Sequence, residues 1–176
     1  MRTIPVIARR EHEKSSSPSA DLIFVKITHP DTTDVIRLVL DGVDYVMDDG
    51  IEPDATWHKA GFELDLLTDT EEPPKAEFRF ANVDWTAMGL LAKVSTPARV
   101  TFFVVTSAYF DLTKEPRTVK PGLAVEVTYR AASLDLRDIT IDDASVTGTL
   151  MSRDLRQEVW PNMRATKRRL PGVHVR

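Results

Sequence analysis

The residues best suited to proton transfer or metal binding near neutral pH are four histidines, His12, His29, His58 and His174. None falls in an HExxH or HxH spacing, so no zinc motif forms. His58 follows Trp57 and could serve as a ligand; a histidine on a surface loop is the simpler reading. Acidic pairs stand at Asp48-Asp49, Glu71-Glu72 and Asp142-Asp143. Paired carboxylates can bind calcium or act as acid and base. Each pair lies in a turn-like stretch, where carboxylates serve solvation and turn hydrogen bonds. The chain has no cysteine, which excludes disulfides, thiolate zinc sites, iron–sulfur clusters and a thiol nucleophile. Its seven glycines form neither GxGxxG nor GxxxxGK[ST], and there is no GxSxG. Ser15-Ser16-Ser17 reads as a linker. The expectation is no catalytic residue, no metal and no cofactor.

Charge is the second source of chemistry. The chain carries a net −4, but unevenly. From Asp21 to Met151 there are 12 bases and 23 acids, a net of −11, whereas Ser152 to Arg176 is +5. Such asymmetry marks a tail with a partner, either nucleic acid or the acidic body of a neighbouring subunit. The tail also keeps large apolar residues, which a solvated segment has no use for. The predicted partner-binding set is therefore Trp160, Met163, Arg164, Lys167, Arg168, Arg169 and Leu170. Arg168 and Arg169 with Lys167 could touch phosphate. Interleaved aromatics are missing apart from Trp160, so no specific nucleic-acid binding is expected.

These residues must be positioned by the elements around them. Val6 to Lys14 reads as a short helix or an extended arm, broken by the serines and Pro18. Residues 21–29, DLIFVKITH, read as a strand with both faces largely apolar. Asp34 to Leu40 is a second strand, and Asp41-Gly42 predicts a two-residue hairpin into a third at Val43 to Val46. Phe62, Leu64 and Leu66 alternate with Glu63 and Asp65; Ala76, Phe78 and Phe80 alternate with Glu77 and Arg79. Asp84 can cap a helix over Trp85 to Val94, with Met88 and Leu91 at helical spacing. Arg99 to Thr106 is β-branched and aromatic, a central strand. Two further alternating runs, LDLRDITI and ASVTGTL, flank a turn at Asp142-Asp143.

Seven to nine short strands and one internal helix predict a mainly β fold, an antiparallel sandwich or barrel with extended terminal arms. Phe62, Leu64, Leu66, Phe78, Phe80, Phe102 and Val104 should be core. A chain of 176 residues fits one domain with arms: an N-terminal arm over 1–20, a β-rich domain over 21–156 and a basic arm over 157–176. The start, MRTIPVIARREHEK, is too polar for a signal peptide's core, and no apolar run nears the ~20 residues that cross a bilayer. Synthesis in a cytoplasm and no membrane partner are expected.

The order of segments carries a resemblance. ARREHEKSSSPSADLIFVKITHP leads into VIRLVLDGVDYV; then come GFELDLLTDTEEPPKAEFRFANVD, a helix, RVTFFVVTSA, and LDLRDITIDDASVTGTLMSRDL before a basic, proline-bearing end. This resembles a family of tail-module proteins of long, non-contractile-tailed phages, encoded near the tape measure. Phe62 to Asp84 and Leu134 to Met151 carry most of the likeness; MDDGIEPDATWHKA departs from it. The resemblance implies a virion protein of the tail tip, made in a bacterial host. Its role would be similar to that of distal tail proteins and the minor tail protein M of lambda-like phages, with a tail-tube-like fold and no active site. It further implies a ring of identical subunits, sixfold like the tube or threefold like the hub. Contacts with the tail tube protein and with hub or tape-measure-associated proteins follow from that place, and the basic arm would lie on a neighbouring protein. Two other readings compete: a carbohydrate- or receptor-binding β-sandwich, which needs exposed aromatics or a calcium loop, and a tail-tip hydrolase, which needs convergent carboxylates or a histidine pair.

Overall fold

A computed structural model of the chain describes residues 4–64, 75–81, 97–142 and 145–152. The alternation of apolar side chains becomes ten strands: β1 (Asp21–Thr28), β2 (Val35–Val39), β3 (Tyr45–Val46), β4 (Thr56–Lys59), β5 (Phe62–Leu64), β6 (Lys75–Ala81), β7 (Ala98–Thr106), β8 (Arg117–Thr118), β9 (Tyr129–Ile141) and β10 (Ser145–Met151). They form one curled sheet in the order β5-β6-β10-β9-β7-β1-β2-β4-β3-β8. The fold is mainly β, as the pattern predicts. It is not purely antiparallel: β2 pairs with β4, and β3 with β8, in parallel.

The Asp41-Gly42 hairpin does not form. β3 pairs with β4 and β8 rather than with β2. A primed two-residue turn needs positive φ, and neither Asp41 nor Gly42 has it. The Asp41 carboxylate is instead taken up by more distant partners described below. Strands β9 and β10 pair antiparallel on either side of the expected Asp142-Asp143 turn, with Val146 opposite Ile141 and Asp142 N–H donating to Ser145 O; Asp143 lies outside the described residues.

Because β1 is apolar on both faces, it separates two cores. Val25 and Ile27 face one, with Phe62, Phe78, Phe80, Val100, Phe102, Leu136 and Leu150. Leu22 and Phe24 face the other, with Val39, Tyr45, Trp57, Val105, Tyr109 and Phe110. In the second core Phe24 stacks on Phe103, 5.5 Å between ring centres, and meets Trp57 edge-on at 5.2 Å. Strand β7 serves both cores in the same way. Of the expected core, Phe62, Phe78, Phe80 and Phe102 are buried. Val104 is only half-buried, because it stands opposite Tyr129, where β9 begins. Leu64 lies on β5. Leu66 and the helix expected over Asp84 to Val94 lie outside the described residues.

Near the N-terminus, Val6–Glu13 is an α-helix, α1, of the two forms its sequence allows. Ala8 is fully buried, and α1 packs on a short 3-10 turn, Ser107–Tyr109. The Ser107 hydroxyl accepts from Ala20 N–H at 2.9 Å, and Ser107 N–H donates to Ala20 O at 2.8 Å. One β-bulge distorts the β9–β10 pairing: Asp138 has φ 52°, and Gly148 opposite it lets Leu136 approach closely.

Candidate functional site

The structure keeps the described histidines apart. His12 Nε2 lies 3.1 Å from Asp21 Oδ2 at the surface. His29 is buried at the end of β1, and its Nδ1 accepts from Asp31 N–H at 3.0 Å. His58 points out from β4, 3.8 Å from Asp44, while Trp57 beside it is wholly buried. Among the described residues no three His, Asp or Glu side chains stand together in a way that could hold a metal ion. His174, Glu71-Glu72, Asp143 and the whole predicted partner-binding set, Trp160, Met163, Arg164, Lys167, Arg168, Arg169 and Leu170, lie outside the described residues.

Asp49 does far more than solvate a turn. Its side chain is completely buried under the β3–β4 loop. One oxygen accepts from Ile51 N–H at 2.7 Å and Glu52 N–H at 2.8 Å, as an Asx turn does. The other sits 2.9 Å from Lys26 Nζ and 2.8 Å from Arg37 Nε. Lys26 also donates to Asp49 O, and Arg37 reaches Glu52 at 3.0 Å. Burial alone would raise the pKa of this carboxyl. The backbone donors and the two cations outweigh it and hold the group well below the usual carboxylate range. The loop is thereby fixed to β1 and β2.

A second cluster fixes the far edge of the sheet. Tyr45 Oη donates to Asp41 Oδ2 at 2.6 Å, and Arg117 Nη1 donates to the same oxygen at 2.7 Å. Gly42 N–H donates to the other oxygen, and the Arg117 guanidinium lies over the Tyr45 ring, 5.4 Å from its centre. Burial and then the bond to Asp41 push the Tyr45 hydroxyl up to about 12, so it stays protonated. A phenol held this way is a structural donor, not a nucleophile. This cluster ties the β2–β3 turn to β8.

Between these two anchored regions runs a groove of about 650 Å³. The β3–β4 loop contributes Met47, Asp48 and Asp54, the 119–127 loop contributes Val119, Leu123, Val125 and Val127, and the sheet contributes Phe103 and Arg130. Leu123 and Val127 remain exposed although large and apolar. Asp48 and Asp54 make no ion pair among the described residues, nor does Arg130. The arrangement is an apolar trough with a cation from β9 and carboxylates from the opposite loop. It suits an extended segment that is itself apolar in the middle and charged at its ends. Sequence reasoning missed the groove, although Leu123, Val125 and Val127 alternate in a stretch with no strand partner. That unpaired alternation was the available signal.

Comparison with known protein families and with curated proteins finds no match for this chain.

Proposed function

We propose that this chain is a structural protein of a long-tailed phage, a subunit of the ring that joins the tail tube to the hub at the tail tip. The observation that carries the reading is where its ionisable chemistry is used. Among the described residues, the buried or half-buried charges Asp49, Lys26, Arg37, Asp41 and Arg117 hold loops or strand ends to the sheet. That is the economy of a scaffold. The segment order from Ala8 to Leu155 supports the same role through its resemblance to tail-module proteins. The carbohydrate-binding alternative asks for aromatic rings at the surface. Trp57, Tyr45, Tyr109 and Phe110 are instead packed in the second core.

A ring subunit forms a head-to-tail interface that closes on itself. Its neighbours would be further copies, the tube protein and the hub or tape-measure-associated proteins, with the basic arm contributing to those contacts. The test is the composition of purified virions from the phage or prophage that encodes the chain, with reconstruction of the tail tip. The expected result is a sixfold ring at the distal end, with a threefold ring as the alternative symmetry. Virions that lack the chain altogether would sink the proposal.

A further inference from the structure

One wall of the groove carries an unused backbone edge. Leu123 to Val127 run without a bend between the Pro121-Gly122 turn and Thr128. Both flanks of the stretch are pinned: Lys120 N–H donates to Tyr109 O at 2.9 Å, and Thr128 N–H donates to Val104 O at 2.9 Å. Between them Val125 packs on the second core, and the Glu126 carboxylate accepts from Tyr109 Oη at 3.3 Å. The stretch is therefore held straight. Yet the N–H groups of Ala124, Val125 and Val127 donate no hydrogen bond among the described residues, and no described strand pairs with them. A straight edge with open donors is a template for one more strand.

The side chains beside that edge are those an added strand needs. Leu123 and Val127 each remain 38% exposed, and with Val125 and Phe103 they make the groove apolar. The opposite wall, the β3–β4 loop, is fixed to β1 and β2 through Asp49, so the groove exists before anything enters it and little ordering cost falls on binding. On that wall Lys26 and Arg37 match Asp49, which leaves Asp48 and Asp54 as carboxylates without an ion pair among the described residues. Arg130 stands apart from them beside Phe103, with β7, β1 and β2 between its strand and β4 in the sheet. We infer that the groove accepts an extended strand of a partner protein, about five residues long, which adds to the Leu123–Val127 edge, is apolar at every second position and carries Lys or Arg where it passes Asp48 and Asp54. Backbone hydrogen bonds supply the affinity, and the alternate side chains supply the selectivity. Such a strand need not come from a phage tail, so its docking stands apart from the tail-tip reading.

Nuclear magnetic resonance of the full chain, titrated with an end-blocked KVTVTVK peptide, tests this. Amide signals of residues 123–127 and 47–54 should shift together, and those of β6 and β10 should stay. Two N-methylated forms of the peptide separate strand addition from a grip on side chains alone. Methylating the alternate amides that face the edge should abolish binding, and methylating the other set should leave it intact. Asp54 is exposed, so Asp54→Lys should leave the fold unchanged, weaken binding of KVTVTVK about threefold and strengthen that of EVTVTVE by a similar factor. Absence of shifts at residues 123–127 overturns the inference, as does equal binding of the two methylated forms. An Asp54→Lys chain that binds both charge forms as before overturns the basic occupant. Without peptide, amides of Ala124, Val125 and Val127 already protected from exchange in the dilute chain would place one of the chain's own segments in the groove, and protection that grows with protein concentration would place a second copy there. Either result overturns the partner strand.

Discussion

Replacing Asp49 by Asn keeps a side-chain acceptor for the amides of Ile51 and Glu52 but removes the charge between Lys26 and Arg37. Lys26 and Arg37, with side chains only 12% and 16% exposed, then lose the carboxylate between them, keeping only Asp49 O and Glu52 respectively. Breaking a buried pair by removing one partner costs about 3–5 kcal/mol. The residual exposure of both cations, and the partners that each keeps, put Asp49→Asn at the low end, about 3 kcal/mol. Asp49→Ala also leaves two amides without their acceptor and should cost about 1–2 kcal/mol more. The effect must depend on pH in a fixed direction. The folded-state pKa is depressed below the ordinary 3.8, so the stabilisation is complete above that value and is lost as pH falls through it toward the folded-state pKa. At pH ~3 the unfolded chain already protonates this carboxyl while the folded one does not. The destabilisation by Asp49→Asn should then be about 1 kcal/mol smaller than at pH ~7. Urea unfolding at the two pH values, read as the shift in midpoint at constant slope, measures both numbers. A loss under ~0.5 kcal/mol at neutral pH would show that the cations relax into solvent without cost, as surface pairs do. An equal loss at both pH values would refute the depressed titration.

Three other outcomes follow from the geometry. A Cβ on Gly148 would stand 2.7 Å from Leu136 Cδ1 and 3.3 Å from Arg137 O, with Leu136 held in the core, so Gly148→Ala should cost about 1–3 kcal/mol and lower the melting temperature accordingly. Tyr45 should ionise late: the stability that depends on its protonated form is full below pH 10 and is lost as pH rises toward about 12, and Tyr45→Phe should remove its part of the alkaline transition, leaving that of Tyr109, which burial also pushes up, as read by phenolate absorbance alongside circular dichroism. Deleting Trp160 to Arg176 should leave the sheet folded, with an unchanged far-ultraviolet β signal and cooperative unfolding, and yield a chain that fails to join tails; infectious particles built from the deleted chain would refute the role of the arm.

The first core was legible because its strands alternate cleanly. Phe78 and Phe80 against Glu77 and Arg79 announce a half-buried strand, and β6 is one. β1 was legible as a strand buried on both faces. The mixed edge was not, because β3 and β8 are two residues each, too short to carry a period. Their pairing depends on Arg117 reaching Asp41 across 76 positions, which no local pattern encodes. The Asp-Gly signal failed for the same reason: a distant guanidinium and a phenol claimed the aspartate that would have made the turn. Asp49 looked like its neighbour Asp48 in sequence. Only the folded positions of Lys26 and Arg37, on adjacent strands in register, separate the buried carboxylate from the exposed one.

The placement of β1 between β2 and β7 has a consequence for how the chain is made. Asp21 to Thr28 meet β2 within a few residues, but their other partner is Arg99 to Thr106, some eighty positions later. At ~5–20 residues per second the ribosome needs about 4–16 s to deliver it, and longer to deliver β9, which closes β7. Through that interval the Ile23–Ile27 edge, apolar on both sides, has an open row of backbone donors and acceptors beside it. The nascent chain therefore stays adhesive until past its midpoint, and yield in a heterologous host should rise with holdase chaperones that cover this edge.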